Sequence, residues 1–131
     1  MSGERILVDT SVWIEYFRDA ASPVAEKADR ILDDDEVFVP RMVLAELIQG
    51  AKSAREIKVI DDFFEAFHII DQDEETWVKA GRLAYELKKK GKTVPLSDCY
   101  LAVIARNHKC KVFTLNRHFQ EIQQLAEIDL V

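Results

Sequence analysis

The chain has 131 residues, 48% hydrophobic and 32% charged, with four glycines, three prolines and two cysteines. That length suits a single domain, residues 1–131, with a core of its own, and the balance excludes disordered, collagen-like and disulfide-framed chains. A net charge of −6 argues against broad, sequence-independent binding of phosphate backbones.

Ile6-Leu7-Val8 is too short an apolar run for a signal peptide or for a membrane span of about twenty residues, so a soluble, cytoplasmic protein with no membrane partner is expected. Cys99 and Cys110 form no C-x-x-C pattern and suit a reducing compartment. Arg5–Val8 reads as a first strand, short and β-branched. Thr10–Arg18 follows as a helix, with Val12, Trp13, Tyr16 and Phe17 at helical spacing. A second helix opens at Pro23 and runs to about Leu32, and Asp33-Asp34-Asp35 reads as a solvated acidic turn. Val37–Val39 is a second strand. Pro40 then opens a helix carrying Val43, Leu44, Leu47 and Ile48, with Gly50 near its end.

Arg55–Phe67 reads as a helix and His68–Ile70 as a third strand. Asp73–Lys90 reads as a long helix with Trp77, Ala80, Ala84 and Leu87 in one apolar stripe, so Trp77 joins Trp13 as an expected core aromatic. Ser97–His108 is apolar almost all round, as in a deeply buried helix. Lys111–Leu115 is a fourth strand, Arg117–Leu125 a last helix, and Ile128–Val131 an expected edge strand. Short apolar strands alternating with helices predict an α/β fold whose parallel sheet is covered on both faces.

In such sheets ligands bind outside the carboxyl ends of the strands. Asp9 follows the first strand directly, Asn116 follows the fourth, Glu46 lies in the helix after the second, and Asp98 lies in the first turn of the buried helix. Singly, each has a simpler role: Asp9 as a helix cap, Asp98 as a partner of a helix dipole, Glu46 as a solvated position. Together, carboxylates converging beside apolar surroundings repel one another unless a cation joins them. Asp and Glu oxygens are the hard ligands of Mg²⁺ or Mn²⁺, and such a centre suits phosphodiester hydrolysis.

Four stretches carry a resemblance: Ile6-Leu7-Val8-Asp9-Thr10-Ser11-Val12-Trp13-Ile14, Val43-Leu44-Ala45-Glu46-Leu47, Leu96-Ser97-Asp98-Cys99-Tyr100-Leu101-Ala102 and Phe113-Thr114-Leu115-Asn116-Arg117-His118-Phe119. In this order they resemble the PIN-domain nucleases, in detail the VapC toxins of toxin–antitoxin pairs. The resemblance implies a three-layer α/β/α sandwich and an endoribonuclease dependent on Mg²⁺ or Mn²⁺. It implies Asp9 and Asp98 as metal ligands, and Glu46 as a ligand directly or through water. The family's fourth polar position, acidic in many members, falls on Asn116, and its hydroxyl positions on Thr10 and Thr114. A cognate VapB-like antitoxin and a homodimer are further implications. Asn116 is the departure: an amide oxygen can ligate but brings no charge, which weakens a second metal site.

Contact with RNA then falls to local basic groups. Candidates are Arg41, Lys52, Arg55, the Lys88–Lys90 run with Lys92, and Arg117-His118 beside the site; the lysine run reads as a solvated helix end, and Arg117, which adjoins Asn116, has a better claim. His68 and His118 read as structural residues. A phosphotransferase of the haloacid dehalogenase type is set aside because Ser11 stands where its second Asp belongs. A response-regulator receiver lacks its acidic pair and late Lys. A PIN-like domain that binds RNA or a partner with weak or no cleavage remains the alternative.

Overall fold

The computed structural model describes residues 3–131. Four strands form one parallel sheet: β1 (Arg5–Val8), β2 (Glu36–Pro40), β3 (His68–Ile70) and β4 (Lys111–Phe113). The spatial order is β3-β2-β1-β4. In β1 the pairing sets Leu7 between Phe38 and Val112. Ile6, Leu7 and Val8 are all buried, as a central strand covered on both faces requires.

Seven helices cover the sheet. Helix α1 (Thr10–Arg18) packs against both α2 (Pro23–Asp34) and α3 (Arg41–Gln49), and α3 packs against α4 (Ala54–Phe64). Helices α5 (Thr76–Lys89), α6 (Leu96–Asn107) and α7 (His118–Ala126) form a second group, in which each touches the other two. The result is the expected α/β/α sandwich. Residues 98–105 of α6 are all buried, as its all-round apolar sequence predicts. Cys99 and Cys110 are free and buried, and burial pushes both thiols up to about 11, which leaves them poor nucleophiles. Among the described residues, no helix is long and apolar enough to cross a membrane.

Several boundaries differ from the sequence reading, each for a local reason. The acidic turn is the end of α2: Asp34 is helical, and the Asp35 carboxylate accepts the Gly3 and Glu4 N–H groups, tying the start of β1 to the start of β2. Pro40 closes β2, and α3 begins one residue later. Helix α4 stops at Phe64, and Phe67 sits in the turn before β3 with its ring on Trp13. Helix α5 starts at Thr76, because Asp73 turns the chain by accepting the Glu75 N–H and the Thr76 hydroxyl.

Trp77 is not a core residue. It is 46% exposed and stacks on the buried Tyr100 at 3.8 Å, while Ala80 and Leu87 of the same stripe are fully buried. The face of α5 that meets the core runs through Thr76, Ala80 and Leu87, and Trp77 lies about a quarter-turn off it. The edge strand is reduced to one parallel bridge between Val112 and Leu130. Its chain enters from Glu127, whose left-handed backbone (φ 53°) ends α7.

The cap of α2 is strong. Ser22 is buried and its hydroxyl accepts the Ala25 N–H at 3.0 Å. Ser22→Ala leaves that donor unmatched and is expected to cost about 1 kcal/mol, read from urea unfolding.

Candidate active site

The chain builds β1, β2 and β3 outward on one side, then returns to place β4 on the other side of β1. The reversal opens a crevice beyond the carboxyl ends of β1 and β4. Asp9 is the first residue after β1, and its N–H donates to the Phe113 carbonyl at the end of β4 at 2.9 Å. Its side chain caps α1: Oδ1 accepts the Thr10 N–H at 2.8 Å. Oδ2 accepts the hydroxyls of Ser11 at 2.8 Å and Thr114 at 2.7 Å. The cap expected for Asp9 is present, and the same carboxylate also reaches across to β4.

Asp98, in the first turn of α6, is buried like Asp9. Its Oδ2 accepts two N–H groups at 3.0 Å, from the Asn116 amide and from His118 Nδ1. Burial, the largest cause, pushes the Asp98 carboxyl above its ordinary value. The His118 hydrogen bond pulls it back, and the negative charge of Asp9 pushes it up further. The two aspartates therefore feel each other across the crevice.

Glu46, half-buried on α3, accepts the Thr10 hydroxyl at 2.7 Å. Thr10 thus serves Asp9 with its N–H and Glu46 with its hydroxyl. Asn116 follows β4 in the same way: its N–H donates to Thr114 Oγ1 at 2.9 Å and its Oδ1 accepts the His118 N–H at 3.0 Å. One hydrogen-bonded line runs Glu46–Thr10–Asp9–Thr114–Asn116–Asp98–His118.

The donor set suits a hard divalent cation. It offers carboxylates at a strand-end crevice, two of them buried and mutually repelling, which a dication relieves. Among the described residues, however, no three His, Cys, Asp or Glu side chains stand close enough as they are to enclose an ion. Glu46 is joined to the aspartates only through Thr10, which fits contact through a bridging water better than direct ligation.

Six of the seven residues expected from the sequence share this network: Asp9, Thr10, Glu46, Asp98, Thr114 and Asn116. Arg117 is exposed beside them and takes no part in these bonds. Two residues that the sequence reading gives no role at the carboxylates also belong here. Ser11 braces Asp9 while accepting the Leu115 N–H at 3.0 Å. His118, taken as structural, holds Asp98. The available signal was its position two residues past Asn116, on the first turn of a helix opening at a strand end.

The family model described as "PIN domain" matches residues 6–125. The chain belongs to the PIN-domain family. A relative over nearly the whole chain is "Ribonuclease VapC1" of Methanocaldococcus jannaschii, 29% identical across 93% of this chain and 84% of its own. The "tRNA(fMet)-specific endonuclease VapC" of Shigella flexneri is 25% identical across 95% and 97%. Among solved structures, the VapBC2 complex of Rickettsia felis, bound to a DNA fragment from its promoter, has a chain that superposes with a TM-score of 0.79. It covers 97% of both chains at 20% identity, a likeness of fold. All of the hydrogen-bonded line lies inside the PIN match.

Proposed function

We propose that this chain, acting in the cytoplasm as one PIN domain over residues 1–131, is a metal-dependent endoribonuclease and the toxin of a type II toxin–antitoxin pair. The observation that carries the chemistry is the pair of buried carboxylates, Asp9 and Asp98, facing one crevice at the switch point of the sheet. The ribonuclease names of its relatives support RNA as the substrate. The VapBC complexes among similar folds support a VapB-like antitoxin as inhibitor, and a homodimer belongs to the same reading.

Asp9 and Asp98 would hold Mg²⁺ or Mn²⁺, and Glu46 would complete the set. Bound there, the cation supplies charge stabilisation at the phosphoryl oxygens and an activated water. The protein's own groups do the positioning. Thr10, Ser11 and Thr114 fix both oxygens of Asp9 by hydrogen bonds, so that this carboxylate cannot swing away. Glu46 orients the attacking water. Arg117, exposed beside Asn116, meets an RNA phosphate and offsets the acidic crevice locally. Arg41 is less available, because it is engaged with Asp71.

The direct test is cleavage of labelled cellular RNA with Mg²⁺, with Mn²⁺ and with chelator, beside an Asp9→Asn control. Discrete fragments are expected with either metal and none with chelator or in the control. No cleavage by folded, inhibitor-free protein would favour a domain that binds RNA without cutting it.

A further inference from the structure

Resting on the metal-centre reading above, the geometry points to Asn116 as a positioning residue that holds Asp98, not as a ligand, and to a centre that takes a single divalent ion. The amide of Asn116 is committed at both ends. Its Oδ1 accepts the His118 backbone N–H at 3.0 Å, and its Nδ2 donates to Asp98 Oδ2 at 3.0 Å. Neither end can be reversed. A backbone N–H only donates, so it must face the amide oxygen, and an ionised carboxylate only accepts, so it must face the amide nitrogen. A ligating oxygen would have to leave the His118 N–H at the start of α7 without its acceptor and turn a donor away from a buried carboxylate, and both changes strand polar groups.

His118 completes the clamp from the other side, with Nδ1 on the same Oδ2 at 3.0 Å. With Oδ2 engaged by two donors, Asp98 offers Oδ1, which accepts no hydrogen bond among the described residues. Asp98 is thereby set as a one-oxygen ligand facing Asp9. Among the described residues, the hydrogen-bonded line brings in no carboxylate beyond Asp9, Asp98 and Glu46, and Glu46 is tied to Thr10. The formal charge present therefore suits one dication.

Mn²⁺ titration of the full chain, followed by electron paramagnetic resonance of the free ion, tests this without reference to activity. Wild type is expected to bind one Mn²⁺ per chain. Asn116→Ala is expected to bind one as well, about ten- to a hundredfold more weakly, the usual cost of losing a residue that orients a ligand. Asn116→Asp keeps the cap on the His118 N–H but sets a second carboxylate against Asp98, and is expected to bind two. Since it retains the cap, this variant stays informative if Asn116→Ala fails to fold. Two ions on wild type, or a single ion bound more tightly by Asn116→Asp, would overturn the clamp and make the side chain a ligand. No Mn²⁺ on folded wild type would overturn the metal-centre reading itself.

Discussion

Asp98→Asn is expected to lower RNA cleavage by more than about a hundredfold, beyond the range for residues that only support a ligand, while the protein stays folded. The substitution is nearly isosteric, and the new amide oxygen can still accept from Asn116 and His118. Stability should move the opposite way from activity. Burial and the charge of Asp9 raise the Asp98 carboxyl, so the native state holds that proton more tightly than the unfolded chain does. The stability linked to this group is therefore fully present below its unfolded value, about 3.9, and is lost as pH rises through the higher folded value. At neutral pH, without metal, the ionised Asp98 is a cost that Asn removes. Metal-free Asp98→Asn is expected to melt no lower than wild type, and Mn²⁺ should raise the melting temperature of wild type alone. A folded Asp98→Asn that cuts at the wild-type rate would remove Asp98 from the chemistry.

The second large effect is structural. Trp13 is fully buried on α1, with the rings of Tyr16, Phe17, Phe63, Phe64 and Phe67 around it at centroid distances of 5.5, 6.3, 5.6, 5.1 and 6.0 Å. Most of these contacts are edge-on, the favoured aromatic geometry. Trp13→Ala is expected to cost about 3–5 kcal/mol, a large share of the roughly 5–15 kcal/mol that holds a domain together. Trp13→Phe should cost much less. It keeps a ring in the cluster and deletes Nε1, a buried donor without a partner among the described residues. Urea unfolding followed by circular dichroism checks both. A loss below about 1.5 kcal/mol for Trp13→Ala would mean that the surrounding rings close the gap. Since α1 begins at Thr10 and is capped by Asp9, Trp13→Ala should also loosen the crevice and reduce cleavage.

Much of this was legible in the sequence because two simple rules apply cleanly. Strand-sized apolar runs alternate with helical stripes, and polar residues just beyond the strands face the crevice. Asp9 and Asn116 follow from the second rule, and Asp98 from its place on a buried helix. The rule could not say what those residues do to one another. Asn116 read as a weakened ligand, and its role as a donor to Asp98 depends on α6 and β4 meeting, which no local pattern encodes. His118 reads as structural, and what it supports is the Asp98 carboxylate, a contact between α7 and α6 that the sequence does not display. Trp77 misled because the buried face of α5 starts from the polar Thr76, which a stripe drawn through apolar residues alone passes over. Phe67 lay outside its predicted helix because its ring is held by the Trp13 cluster rather than by helical periodicity.

The strand order has a consequence for the chain during its own synthesis. Thr114 and Asp9, bonded at 2.7 Å, stand 105 residues apart in sequence, and Asn116 and His118 come later still. Chains emerge at about 5–20 residues per second, amino end first. Throughout that interval Asp9 and Glu46 exist without the strand that completes their crevice. A nascent or prematurely released chain lacking β4 therefore has no assembled centre. Under the proposed cleavage of RNA, the ribosome is shielded from its own product until β4 and the residues after it have emerged.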